Sequence, residues 1–153
     1  MSWDTIFLLS NLFVLPFWGM MLIAPKSKLT QRTIGSRWAI GVLPLVYLIL
    51  IAPMIPSLIP VFLEPPALEP IRQLFTSDAG VTVGWIHFLA FDLFVGRWIL
   101  LDATSRNLNS WLIRPVLLLT FFFGPIGLFT YLCVTRFSPP TGLNPKADPE
   151  SQI

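Results

Sequence analysis

The chain has 153 residues, 54% hydrophobic and 12% charged, with a net charge of +2 and a mean hydropathy of +0.73. Soluble domains carry about 25% charge, so the composition excludes a water-soluble globular domain and fits one polytopic membrane domain. Scattered basic residues exclude a nucleic-acid surface, and one cysteine (Cys133) with one histidine (His87) excludes an internal disulfide, a multi-cysteine metal site and a His-pair metal site.

In chain order, the first apolar stretch covers roughly residues 5–24, about 30 Å as a helix and so matched to a bilayer core. Pro16 should kink it. Only Ser2, Trp3, Asp4 and Thr5 stand before it, without the basic start of a cleaved secretory signal, so this segment is expected to stay in the mature protein. The second stretch, roughly 38–58, holds or borders Pro44, Pro53, Pro56 and Pro60, and is expected to be a proline-broken helix. In the connection that follows, "LEPIRQLF" reads equally as a short interfacial helix or as an ordered loop.

The third stretch, roughly 81–101, is the unusual one. The fourth, roughly 115–134, starts with Pro115 in its first turn and contains "GPIG" (Gly124–Gly127), which should bend or open it. The expected fold is therefore all-α: a four-helix transmembrane bundle over residues 1–137. Residues 138–153 form a polar, proline-rich tail expected to be disordered. Lys26, Lys28, Arg32, Arg37, Arg106 and Arg114, against Arg72, Arg136 and Lys146, place loops 25–37 and 103–114 in the cytoplasm or its equivalent. Both termini are then expected on the opposite side.

The third stretch, "GWIHFLAFDLFVGRWILLDA", carries His87, Asp92, Arg97 and Asp102, one ionisable group every fifth residue. Asp92 falls near the bilayer centre, where a carboxylate costs roughly 2.5–3.5 kcal/mol even on the mildest scale. Steps of five turn a helix by about 140°, so the four groups point into a bundle on several sides. Two readings stand side by side. In the structural one, Asp92 and Arg97 form a buried ion pair, Asp102 ends the helix and Arg97 snorkels to the inner surface. In the functional one, the four groups form a site: a protonated Asp92 is a general acid, His87 takes or relays the proton, Arg97 tunes Asp92 and Asp102 caps the inner end.

Thirteen Phe, six Trp and two Tyr accompany these groups. Trp3, Trp38, Trp85, Trp98 and Trp111 fall near helix ends, as an aromatic belt does. Phe121, Phe122 and Phe123 stand mid-membrane beside Gly124, Pro125 and Gly127. Together with Trp85 and Phe91 they are candidates for a slot that takes a long, flat, apolar ligand, although plain helix packing accounts for them too. Gly80 and Gly84 form a small-xxx-small pair.

The runs "LPFWGMMLIAPK", "LFTSDAG", "GWIHFLAFDLFVGRWILLDA" and "GPIGLFTYLCVTR", in that order, resemble the plant abscisic-acid-deficient-four family of plastid membrane proteins. The resemblance covers about Leu15 to Arg136 and is strongest in the third helix, where His87, Asp92, Arg97 and Asp102 all match the family pattern. It implies a role in xanthophyll metabolism, in neoxanthin formation and epoxycarotenoid isomers, without established catalytic residues. Opening an epoxide to an allene needs one proton delivered to oxygen and one removed from a nearby carbon. The resemblance implies a bound carotenoid, no other cofactor, and as partners membrane lipid, a photosynthetic pigment–protein complex or another carotenoid enzyme. Because the chain starts almost directly at its first apolar stretch, without a transit peptide, a cyanobacterial thylakoid or plasma membrane is the expected location. The competing expectation is a non-catalytic subunit or assembly factor of a pigment–protein complex. Transport is a third and weaker one, because no inverted repeat is found.

Overall fold

A computed structural model describes residues 1–63 and 65–137, apart from the side chains of residues 37, 39 and 137. The tail expected to be disordered lies outside the described residues. Among those described, all secondary structure is helical: α1 (Trp3–Ile23), α2 (Lys28–Gly35), α3 (Arg37–Ile51), a 3-10 turn (Ala52–Met54), α4 (Ile55–Leu63), α5 (Leu68–Leu74), α6 (Asp78–Ser105) and α7 (Ser110–Phe137). Four helical stretches are long and apolar enough to cross a membrane: Trp3–Ile23, Lys28–Leu63, Asp78–Ser105 and Ser110–Arg136.

Local chemistry starts these helices. Ser2, Ser27 and Ser77 each accept a hydrogen bond from the backbone N–H three residues on, at 3.3, 3.0 and 3.1 Å, which satisfies one orphan donor at the N-termini of α1, α2 and α6. The helix that begins at Arg37 gives way to a 3-10 turn at Ala52–Met54, where Pro53 withholds an N–H. The segment "LEPIRQL" is helical, as α5. Between α1 and α3 lies α2, which buries Thr30 and Ile34 while Lys28 and Arg32 stay exposed, the pattern of a helix lying in an interface.

α6 is the central helix. α1 runs parallel to it, because Asn11 meets Trp85 and Trp18 lies against Gly96. α3 runs antiparallel, because Tyr47 meets His87 while Ile40 and Arg97 line one cleft. Val14, Trp18, Met21, Ile86, Leu93, Ile99 and Leu117 fill the seam between α1, α6 and α7. In lipid the gain is mostly close packing, since tails are as apolar as leucine. The outward faces accordingly stay apolar, with Leu8, Leu12, Leu48 and Phe129 exposed.

α7 is not one straight rod. Phe123 has φ −141° and ψ 49°, outside the helical region. A Cβ placed on Gly127 would run into the backbone of Thr120, although seven residues separate by about 10.5 Å along a straight helix. The Tyr131 hydroxyl donates to Asp102 at 2.6 Å, ten residues along α6 from Asp92, whose carboxyl lies against Gly124. These contacts coexist only if the chain turns back at Phe123 and Gly124. α7 is thus a helical hairpin with arms 110–122 and 124–137. The first arm spans about 20 Å, short of a hydrocarbon core of about 30 Å.

Local chemistry permits the turn. Pro125 disfavours helical backbone at the residue before it and lacks an N–H, and the buried Gly124 and Gly127 let chains approach closely. The expected bend is sharper than a kink, and the departure from helical geometry falls at Phe123, one residue before the glycine–proline motif. Trp3 is at the Asp78 end of α6 and the last described turn of α7 returns towards the Ser105 end; the side of the chain's C-terminus lies outside the described residues. Arg136 therefore joins Lys26, Lys28, Arg32, Arg37, Arg106 and Arg114 at that basic end. Among the described residues the other end holds Arg72 as its only Lys or Arg, together with Asp4, Glu69 and Asp78.

Candidate functional site

The four ionisable residues of α6 occupy four different surroundings. Nearest the basic end, Asp102 Oδ2 accepts from Arg106 Nε at 2.7 Å and from the Tyr131 hydroxyl at 2.6 Å. Arg106 is one helical turn away, an i,i+4 neighbour. Tyr131 is fully buried, on the returning arm of the hairpin, with its ring edge-on to Trp98 at 5.4 Å. Asp102 does not end α6, which continues to Ser105. It fastens the hairpin to α6.

Arg97 does not pair with Asp92. Its Nε donates to the carbonyl of Ile34 at 2.8 Å and one terminal nitrogen donates to that of Gly35 at 3.1 Å. The last carbonyls of a helix have no partner within it and form its negative end, so the C-terminus of α2 is an anion equivalent. The 140° step along α6 turns Arg97 towards it. Arg114 does the same for α1, donating to Ile23 at 2.9 Å while its guanidinium lies over Trp111 at 4.5 Å. Thr30 completes the set by donating to Ala24 at 2.8 Å. Arg97 and Arg114 therefore act as caps for helices other than their own.

His87 faces α3. Its ring lies 5.3 Å from that of Tyr47 and 4.6 Å from that of Phe91, with Phe88 edge-on at 6.1 Å. It borders an apolar cavity of about 190 Å³ between α3, α4, α5 and α6, whose walls include Met54, Phe62 and Phe75. Asp92 faces the other way, towards the hairpin tip. Its Cγ stands 3.0 Å from the place a Gly124 Cβ would take, so a side chain there would displace it. Among the described residues Asp92 makes no hydrogen bond and no ion pair. His87 and Asp92 therefore do not meet.

The candidate slot residues divide likewise. Phe121 packs edge-on against Trp18 at 5.3 Å and belongs to the core. Phe122 and Phe123, at the hairpin tip, are 64% and 57% exposed, and Pro125 beside them is exposed too. Trp85 lies two turns from Asp92 on the same face of α6. It donates to Asn11 Oδ1 at 3.1 Å and its ring is 5.7 Å from Phe7. Phe91 belongs to the His87 niche. Because α7 turns back level with Asp92, it does not cover the half of this α6 face towards the acidic end, and among the described residues no other helix takes its place there. Asp92 lies at its floor, Phe122 and Phe123 at its rim, and Trp85 further along it.

Tyr131, Arg106, Tyr47 and Asn11 are site neighbours that sequence reasoning did not single out. The i,i+4 spacing from Asp102 was a usable signal for Arg106; the other three come from different helices and carry no local mark. Among the described residues no group of three or more His, Cys, Asp or Glu side chains converges as a metal site would.

The family model described as ABA DEFICIENT 4-like matches residues 5–131. "Protein ABA DEFICIENT 4, chloroplastic" of Arabidopsis thaliana is 29% identical over 134 residues, which cover 84% of this chain and 59% of that protein. The chain thus spans about three fifths of that relative's length. No solved structure matches. With the matched region running through α1 to Tyr131, and so through every element of the site, the chain belongs to the ABA DEFICIENT 4-like family.

Proposed function

We propose that this protein binds a xanthophyll in a photosynthetic membrane and takes part in its conversion, with Asp92 as the group that meets the polar end of the pigment. The observation that carries the reading is Asp92 itself: a carboxyl at mid-depth, without a protein partner among the described residues, beside a backbone that turns back. An intramembrane carboxyl of this kind is a functional residue by default. The open face beside it is flanked by Phe122, Phe123 and Trp85, which suits a flat polyene. A hydroxyl or epoxide oxygen on the pigment's end ring would take the hydrogen bond that Asp92 lacks.

Asp92 is also the candidate acid for protonating an epoxide oxygen. His87, in its own aromatic niche, is a candidate second contact rather than the proton partner of Asp92. The family resemblance supports a carotenoid over other long apolar ligands. The positive-inside rule supports placing the basic end in the cytoplasm or stroma, and a thylakoid setting agrees with the chloroplastic relative.

A second reading, a non-catalytic subunit of a pigment–protein complex, is favoured by α3 and α4. These bury little, and Leu48, Ile49, Ile59, Phe62 and Leu63 all face outward. One preparation separates the two: the protein purified in mild detergent, its visible spectrum recorded and its extracted pigments chromatographed, with Asp92→Asn alongside. Stoichiometric carotenoid that is lost, or changed in isomer composition, in a variant that accumulates normally is the expected result. Pigment-free protein co-purifying with a larger complex selects the second reading.

A further inference from the structure

The niche around His87 is a site that Asp92 does not reach, because a step of five residues turns the two side chains about 140° apart. His87 lies nine residues into α6, about 13.5 Å from its first residue and so at hydrocarbon depth. The rings of Tyr47, Phe88 and Phe91 flank its imidazole. Among the described residues neither that imidazole nor the Tyr47 hydroxyl makes a hydrogen bond. Lipid tails offer none, and an unsatisfied polar group at that depth is costly.

Both groups border the apolar cavity of about 190 Å³ between α3, α4, α5 and α6. Gly80 and Gly84 shape it: their missing side chains admit Leu74 and Phe75, which wall the cavity, and a Cβ on Gly84 would stand 2.5 Å from the Phe75 ring. No carboxylate, ammonium or guanidinium lines it among the described residues, which excludes an ionic ligand. An apolar cavity of roughly 150 Å³ takes benzene, so this one has room for a substituted six-membered ring. Phe62 and Phe88 are exposed at its rim, which leaves an apolar tail a way out to the lipid. An acyl chain would fill the space and leave both polar groups without a partner. A ring that bears an oxygen fills it and supplies the partner.

We infer that this cavity binds a six-membered ring carrying a hydroxyl or carbonyl oxygen, the head of a lipid-soluble molecule, with His87 as its hydrogen-bond partner. A quinone head and the hydroxylated end ring of a carotenoid share this chemistry. The inference stands apart from the pigment contact at Asp92. His87 is the only histidine of the chain, so its imidazole resonances report on this cavity alone. The test titrates the untagged full chain, isotope-labelled in histidine, in mild detergent. The probes are decylplastoquinone and zeaxanthin, each against an oxygen-free counterpart, decylbenzene or β-carotene, with affinities read by native mass spectrometry. The variants are His87→Phe, which keeps a flat ring and removes the hydrogen bond, and Ile51→Phe and Leu58→Phe, which narrow the cavity from α3 and α4.

One hydrogen bond of ordinary net strength corresponds to about fivefold in affinity. The expected result is a shift of the His87 imidazole by at least one oxygenated probe, bound about fivefold more tightly than its counterpart; the probe bound more tightly names the source. His87→Phe should erase that difference, and the two narrowing variants should weaken binding while the imidazole spectrum stays that of a folded chain. Resonances that move with neither oxygenated probe, oxygen-free counterparts that bind as tightly, or a preference for oxygen that survives in His87→Phe would overturn the inference. So would unchanged binding in both Ile51→Phe and Leu58→Phe.

Discussion

Tyr131→Phe and Asp102→Asn, made singly and together, probe whether α7 turns back. Had α7 continued straight from Gly124, Tyr131 would lie seven residues, about 10.5 Å, beyond the level of Asp92 towards the acidic end. Asp102 lies ten residues, about 15 Å, the other way. A gap of about 25 Å leaves no contact to lose. In the hairpin the two oxygens are 2.6 Å apart, and Tyr131 is fully buried.

A hydrogen bond to a charged acceptor contributes about 1.5–3 kcal/mol in water-soluble proteins, whereas membrane double-mutant cycles average about 0.6 and reach about 1.7. Arg106 still holds the carboxylate when Tyr131 is lost, so the coupling should be about 1 kcal/mol, and stabilising. Reversible unfolding in mixed micelles measures it. A coupling below about 0.3 kcal/mol, the scatter of independent sites, would refute the contact. The geometry has a second readout: in a Cys133→Ala background, Arg136→Cys should react with an impermeant maleimide from the same side as Asn107→Cys. Labelling from opposite sides would refute the reversal itself.

Two further predictions concern the same helix. Arg97→Ala should destabilise by about 1–3 kcal/mol by stranding two carbonyls, Arg97→Lys should recover part of this, and combination with Asp92→Asn should be additive within about 0.5 kcal/mol; strong coupling would restore the ion pair rejected above. Gly96→Ala would bring a Cβ to 2.5 Å from the Trp18 ring. It should destabilise by about 1–3 kcal/mol through overpacking, and Trp18→Leu should relieve part of that loss when the two are combined; a melting temperature unchanged in Gly96→Ala would show the α1–α6 seam to be looser than this.

Much was legible in the residues alone, because it rests on short-range rules. Apolar runs of about twenty residues mark helices able to cross a bilayer, and Pro53 and Pro125 mark where helical hydrogen bonding is under strain. The cost of a mid-membrane carboxyl singles out Asp92, and the third helix carries the family pattern. Whether "LEPIRQLF" was helix or loop stayed open because an eight-residue amphipathic run is marginal without a neighbour to pack on; in the fold, Leu74 and the following Phe75 lie against Gly80 and Gly84 of α6.

Only the tertiary structure decided partners and direction. Spacing along α6 says how far apart Asp92 and Arg97 point, but not that the open carbonyls of Ile34 and Gly35 wait beside Arg97. A glycine–proline break announces that a helix is interrupted, yet the angle of the interruption is set by what the two arms then touch. Here Gly127 packs on Thr120 and Tyr131 reaches Asp102, contacts between residues that no local rule relates. They turn the expected fourth helix into a hairpin, gather Arg136 with most of the other cations at one end, and leave Asp92 without a hydrogen-bond partner among the described residues.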